Sequence, residues 1–329
     1  MMRRRIVNVM IIGLVLATIG CAAVAVNTQK TKSFPEISTD RKISSVEAIE
    51  AHMKFLASDD LKGRNTGTDG IELAANYIED VFKKSSVEPY FSSYKDTLSN
   101  HKKPAYNIVG HLEGNDPVLK NEYILIGAHY DHIGFADWVA GDAIANGAND
   151  NASGTTAVLE LARYFAKQRI NGRSLLFALF SAEEKGLLGS KHLAKRLKEE
   201  NIDLYGVANF EMIGVPFNGR DYVAFVTGYD KTNMAEKMNE YAGTNLIGKS
   251  AVAVSYDLFK RSDNYPFYRE FKVPSQTIST CDLTNFEYYH HVDDEIDKMD
   301  FEHMSNVIQS MIPVLEKMST TPTKEIKLY

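Results

Sequence analysis

Residues 174–186 read SLLFALFSAEEKG. Residues 174–180 carry an apolar run, continuous from Leu175, the pattern of a strand buried on both faces of a sheet. That run ends almost at once in two neighbouring carboxylates, Glu183 and Glu184. An acid pair at a loop tip is ordinarily a solvated turn. A different reading gains weight only if other strands end the same way. Adjacent residues on a regular strand point to opposite faces, so both acids serve one site only if the chain has left strand geometry by Ala182, with Gly186 helping the turn.

Working outward, strand-like runs cover 106–110 and 123–127, separated by the turn-rich Glu113-Gly114-Asn115-Asp116-Pro117. Ser44 with Glu47 makes a capping box for a first helix carrying Ile49, Met53, Phe55 and Leu56. A second helix begins at Thr68, with Ile71, Ala74, Ala75, Ile78 and Phe82 on one face. A third begins at Ser153, with Val158, Leu161, Ala162 and Phe165 inward. Beyond residue 186 the spacing predicts a helix over 187–199, strands over 205–210 and 222–226, and a closing helix over 300–318 that contains Pro313. Strand alternating with helix means an α/β sheet with helices on both faces.

The 329 residues, 44% hydrophobic, suffice for a large core. Met1-Met2-Arg3-Arg4-Arg5 precedes the uncharged stretch 6–26, the basic and apolar regions of an export signal. Thr18-Ile19-Gly20-Cys21 resembles a lipoprotein box, Ala23-Val24-Ala25 offers a small-x-small cleavage site, and an uncleaved anchor is the third outcome. The favoured expectation is an exported protein, periplasmic or membrane-anchored through a lipid on Cys21, touching the membrane only through this leader. Residues 1–26 are thus read as signal, 27–43 as polar linker, 44–320 as one domain and 321–329 as a tail. Cys281 then has no intrachain partner, so no disulfide framework exists. The net charge of −6, or −9 without the three leader arginines, argues against nucleic acid as a partner.

In an open α/β sheet ligands bind beyond the strand ends, so the residues just past each apolar run are informative. The run 123–127 leads into Ala128-His129-Tyr130-Asp131-His132, the run 174–180 into Glu183-Glu184, and the run 205–210 into Glu211. Asn149-Asp150-Asn151-Ala152-Ser153-Gly154 places an acid just before a helix, and Tyr288-Tyr289-His290-His291-Val292-Asp293-Asp294 lies far downstream. Imidazoles and carboxylates with almost no thiol suit zinc or a similar divalent ion. Each is weak singly; their joint placement at successive strand ends shifts the balance.

In this order, Gly127-Ala128-His129-Tyr130-Asp131, the NDNASG segment, Ala182-Glu183-Glu184-Lys185-Gly186, Asn209-Phe210-Glu211-Met212 and Tyr289-His290…Asp294 resemble the co-catalytic di-zinc aminopeptidases. That family also holds glutamate carboxypeptidase and glutaminyl cyclase relatives. The likeness runs from about Leu56 to about Asp300. It implies a three-layer α/β sandwich of zinc-exopeptidase type, with a central mixed, mostly parallel sheet flanked by helices. It further implies two zinc ions bridged by Asp150, one also held by His129 and Glu211, the other by Glu184 and His290. Asp131 would accept from the far nitrogen of His129, and Glu183, free of metal, would act as general base and then acid on a peptide substrate. Glu211 departs from the commoner aspartate. His132 and His291 are read as structural or rim residues, the segment 262–267 as near the substrate pocket or a helix-starting turn, and Tyr288 and Tyr289 as pocket lining or packing.

Three rivals remain within reach of the same motifs: a glutaminyl-cyclase-like single-zinc acyltransferase, a zinc carboxypeptidase, and a receptor-like module without catalysis. The complete ligand set argues against the first and last of these. A serine hydrolase lacks support because no Gly-x-Ser-x-Gly elbow occurs.

Overall fold

The computed structural model describes residues 42–329. The leader and nearly all of the linker therefore lie outside the described residues. In chain order the strands are β1 (Glu88–Pro89), β2 (Lys95–Thr97), β3 (Tyr106–Leu112), β4 (Glu122–His129), β5 (Gly134–Val139), β6 (Asp142–Ala145), β7 (Ser174–Phe180), β8 (Asp203–Phe210), β9 (Ala224–Val226), β10 (Ile247–Gly248) and β11 (Ser275–Ser279). The α-helices are α1 (Val46–Leu56), α2 (Asp69–Lys84), α3 (Gly154–Gln168), α4 (Leu188–Glu199), α5 (Met234–Ala242), α6 (Ala251–Ser255), α7 (Asn264–Phe271) and α8 (Phe301–Thr320).

Nine strands form one mixed sheet in the order β1-β3-β7-β4-β8-β11-β9-β10, with β2 also paired to β3; β5 and β6 make a separate hairpin. The centre, β7-β4-β8-β11, is parallel throughout, while β3 and β9 join it antiparallel. The apolar run 174–180 is β7, and every one of its residues is buried. Its alternation divides two layers. Leu176, Ala178 and Phe180 pack with Leu193, Ala194 and Leu197 of α4 and Phe267 of α7. Phe177, of the opposite parity, meets Phe82 of α2. Helices thus cover both faces, as a parallel centre requires.

Helix starts follow the side chains available. Thr68 precedes α2, and Asp300 caps α8 by accepting from the His303 N–H. The expected cap of α1 moves by one residue: the Ser45 side chain accepts from the Ala48 N–H. Ser44 instead takes a positive φ, and its buried N–H donates to Glu160. α8 runs through Pro313 as one element. Residues 321–329, expected as a tail, are tied to the body: Ile326 N–H donates to Tyr205 Oη at 2.9 Å and Lys327 N–H to Asn233 Oδ1 at 2.6 Å. Among the described residues no helix is long and apolar enough to cross a membrane.

Register then positions the site. His129 pairs with Phe180 across β4 and β7, Gly127 pairs with Asn209 across β4 and β8, and Phe210 pairs with Ile278 across β8 and β11. The parallel strands therefore release their next residues at one edge of the sheet.

The buried face of β7 against α4 and α7 gives a stability test. Leu176→Ala is expected to lower the unfolding free energy by about 2–5 kcal/mol, measured by guanidinium denaturation. A loss below about 1 kcal/mol would contradict the packing assigned to that face.

Candidate metal centre

β4 ends at His129, whose side chain is buried. Its Nδ1 lies 3.1 Å from the backbone oxygen of Asp131. A carbonyl can only accept, so Nδ1 carries a proton and Nε2 is the nitrogen turned toward the acids. That Nε2 sits 3.3 Å from Asp150 Oδ1. The other oxygen of the same carboxylate, Asp150 Oδ2, lies 3.3 Å from His290 Nε2. His290 Nε2 is also 3.2 Å from Glu184 Oε2.

Glu183 and Glu184 are separated as the turn requires. β7 stops at Phe180, and Ala182 has φ 58°, so the strand's alternation is broken before Glu183. Gly186 N–H and Leu187 N–H both fold back onto the Glu183 carbonyl at 2.8 Å. Glu184 reaches His290 and His132, whose Nδ1 is 3.1 Å from Glu184 Oε1. Glu183 joins His129 and Glu211, their nearest donor atoms lying within 4.8 Å of one another. A second such group comprises His132, Asp150, Glu184 and His290.

A frame of hydrogen bonds fixes these loops. Asp294 accepts from the Asn149 N–H at 2.7 Å and the Asp150 N–H at 3.0 Å. Asn151 Oδ1 accepts from Gly154 N–H and from Met212 N–H, tying the Asp150 turn to the chain just past Glu211. The Asp150–Asn151 peptide bond is cis. Gly154 has no room for a side chain, since a Cβ there would lie 2.4 Å from both Asn151 Oδ1 and the Phe210 carbonyl. Arg64, wholly buried, donates to the carbonyls of Tyr130, Leu56, Asn146 and Gly147, bracing the approaches to Asp131 and Asp150 from below.

Asp131 is placed differently from expectation. Its carboxylate is 3.8 Å from His129 Nδ1, which its backbone oxygen serves instead. The carboxylate accepts from the Glu183 N–H at 3.1 Å and from Thr66 Oγ1 at 3.0 Å. Asp131 thus links the two acid-bearing loops rather than only the imidazole. His132, read as a structural or rim residue, is fully buried beside Glu184, which leaves the rim reading aside. The signal lay in the His-x-x-His spacing after a strand end, which the neighbouring His129 obscured.

Crowded charge shapes the protonation of the group. Burial opposes a charge on Glu184, and Asp150 adds to that, but hydrogen bonds from His132 and His290 pull it down to about 2. Asp150 is likewise held well below the carboxylate range, its burial outweighed by His129 and His290. Glu183 goes the other way, pushed well up by burial and by Glu211, Asp263 and Glu184 against the pull of His129. Burial also raises Glu211, to about 7, although His129 and the Ser262 hydroxyl that donates to it favour its charge. Burial opposes charge on His129, yet Glu183, Asp150 and Glu211 hold it well above the imidazole range. Neighbouring acids driven apart in this way mark a working site more often than a structural one.

A cavity that opens to solvent lies beside the group and is lined by Glu211, Ser262 and Tyr289 among others. Tyr289 stacks on His290 with ring centroids 4.0 Å apart, so it both lines and packs. Tyr288 packs edge-on against Phe286. Both readings of 262–267 hold, since Ser262 lines the cavity and Asp263 starts α7. Asp142 and Asp257 are occupied locally, by the Ile144 N–H and by Lys260.

The sequence profile of peptidase family M28 matches residues 107–315. The chain belongs to peptidase family M28. A protein of Trichophyton verrucosum named "Probable leucine aminopeptidase" is 28% identical over 267 residues, covering 78% of this chain and 66% of the relative. This M28 chain spans about half to two thirds of the length of the curated relatives it matches. BSAP, a zinc aminopeptidase from Bacillus subtilis, superposes with a TM-score of 0.66 at 16% identity, covering 86% of this chain and 98% of that one. A glutaminyl cyclase of Bacteroides thetaiotaomicron superposes with a TM-score of 0.63 at 19% identity, covering 84% and 98%. The M28 sandwich expected from the motifs is therefore the fold, and the fold alone does not choose between hydrolysis and cyclisation.

Asp294 is the frame residue whose removal isolates positioning from chemistry. Asp294→Ala leaves two buried N–H groups without acceptors and is expected to cost about 2–5 kcal/mol of stability, by guanidinium denaturation, with Asp294→Asn costing less. Equal stability of wild type and Asp294→Ala would show that the two N–H groups have other partners.

Proposed function

We propose that this M28 member is a zinc-dependent aminopeptidase that removes N-terminal residues from peptides. The observation that carries the reading is Asp150, whose two oxygens face two different imidazoles, each at 3.3 Å. A single-ion cyclase would use one donor group; here two lie side by side, and Asp150 of one stands 3.3 Å from His129 of the other.

The residues fit two zinc ions. His129 Nε2 and His290 Nε2 are buried and make no well-directed hydrogen bond, although carboxylate oxygens crowd them. Nitrogen and oxygen donors without thiolate match zinc. His129, Glu211 and Asp150 would hold one ion, and His290, Glu184 and Asp150 the other. Ser262 donates to Glu211 Oε2, which leaves Oε1 as the free oxygen. The longer side chain in place of aspartate is thereby steadied.

When bound, a zinc pair polarises a scissile carbonyl and brings the pKa of a coordinated water toward ~7. The remaining work belongs to the chain. Glu183, engaged by no side-chain hydrogen bond among those described and close to His129 and Glu211, accepts the proton of the attacking water on a carboxylate oxygen. It then returns that proton to the departing amine nitrogen, general acid after general base. Asp131 holds the Glu183 backbone by its N–H, so the base is presented from a fixed turn. The surplus of buried carboxylates around the group favours a substrate that brings a free ammonium, which supports action at the N-terminus.

Glu183→Gln is expected to keep about two zinc equivalents while turnover falls by roughly 10²–10⁴-fold, measured by metal analysis and N-terminal residue release. Asp150→Asn should lose metal. Profiling an unbiased peptide mixture should show shortening from the N-terminus. One zinc equivalent with ammonia release from N-terminal glutamine would select the cyclase, and shortening from the other end the carboxypeptidase.

We also propose that the protein is exported and lipid-bearing at Cys21, a reading supported by the basic-then-apolar stretch 1–26. Incorporation of a labelled fatty acid should occur in the wild type and vanish in Cys21→Ser.

A further inference from the structure

The cavity beside Glu211 has mostly apolar walls, among them Met212, Phe225, Leu258 and Leu283. Four of its hydroxyl oxygens already hold partners in the wall. Ser262 donates to Glu211, Thr277 Oγ1 to Asn264 Oδ1, and Ser279 Oγ to the Cys281 carbonyl, while Thr227 Oγ1 accepts from the Thr277 N–H. Besides Glu211 and the Tyr289 hydroxyl, the lining carries one cation. Arg261 lines the cavity and is exposed, and among the described residues its guanidinium has no ion pair or hydrogen bond. The acids on either side do not claim it: Asp257 is paired with Lys260 at 2.6 Å, and Asp263 is fully buried.

An arginine free to present its planar fork at a largely apolar cavity suits a carboxylate. Its neighbour Ser262 is the residue that steadies Glu211. A substrate held with its ammonium at the acids of the metal centre would therefore send its first side chain into the space that Arg261 borders. We propose that Arg261 selects substrates whose N-terminal residue is acidic, glutamate or aspartate. This inference rests on the aminopeptidase reading and adds to it the substrate class. The apolar walls accommodate the methylenes of a glutamate, and the guanidinium receives its end. A lysine at the same position is repelled.

The test uses the zinc-loaded full chain and N-terminal glutamyl, leucyl and lysyl anilides of equal length. Arg261→Met should lower the ratio of glutamyl to leucyl kcat/KM by about tenfold to a hundredfold, the range of a lost charge-assisted contact. Arg261→Lys should retain part of that ratio, which a purely steric role would not produce, and Arg261→Glu should turn preference toward lysyl. Binding gives a readout without turnover: calorimetric Kd of a glutamyl peptide for the Glu183→Gln protein should weaken by a similar factor when Arg261→Met is added. An unchanged ratio in Arg261→Met, or a wild type that cleaves leucyl but not glutamyl substrate, overturns this inference and leaves the aminopeptidase standing. A chain that releases no N-terminal residue of any kind overturns both.

Discussion

The structure depends on one carboxylate shared between two imidazoles. Asp150 stands 3.3 Å from His129 on one side and from His290 on the other, and unit charges at that spacing interact by roughly 5 kcal/mol even at an effective dielectric near 20. Glu183, Glu184 and Glu211 crowd the same volume. So many acids would repel one another and cost desolvation energy unless the backbone held them and cations, in the proposed reading, balanced them. The frame of Asp294, Asn151 and Arg64 supplies the first of these conditions.

That frame explains why the donors can arrive from distant parts of the chain. Parallel strands with aligned register deliver His129, Glu183, Glu184 and Glu211 to one edge, but a strand end sets position only coarsely. The final placement comes from polar groups on the loops themselves. Asn149 and Asn151 reach across to the segment after β8, and Asp131 joins the end of β4 to the turn after β7. Neutral side chains thus do much of the positioning around a charged centre.

Legibility in the sequence followed burial. β7 is apolar from Leu175 to Phe180 and readable to its ends; α2 and α3 carry clear one-sided faces. β11 escaped because Ser275-Gln276-Thr277-Ile278-Ser279 looks polar, yet all five residues are buried and the polar ones bond inward, Ser275 to the Asn264 carbonyl and Gln276 toward Gly228. The β5-β6 hairpin exposes Phe135 and Trp138 and offers no core pattern. The acids and histidines that meet were legible from their order after strand ends. His132 and the true partners of Asp131 were not, since which of several neighbouring donors turns inward is decided by a few backbone angles such as those at Ala182 and His290.

The short segment ahead of α7 combines duties usually kept apart. Ser262 touches an acid of the reactive group, Arg261 borders the cavity, and Asp263 opens the helix that packs beneath the sheet. Anyone randomising that turn to alter the proposed substrate choice would perturb the metal-centre acids and folding together. A library would keep its serine and aspartate constant and vary the opposite wall instead.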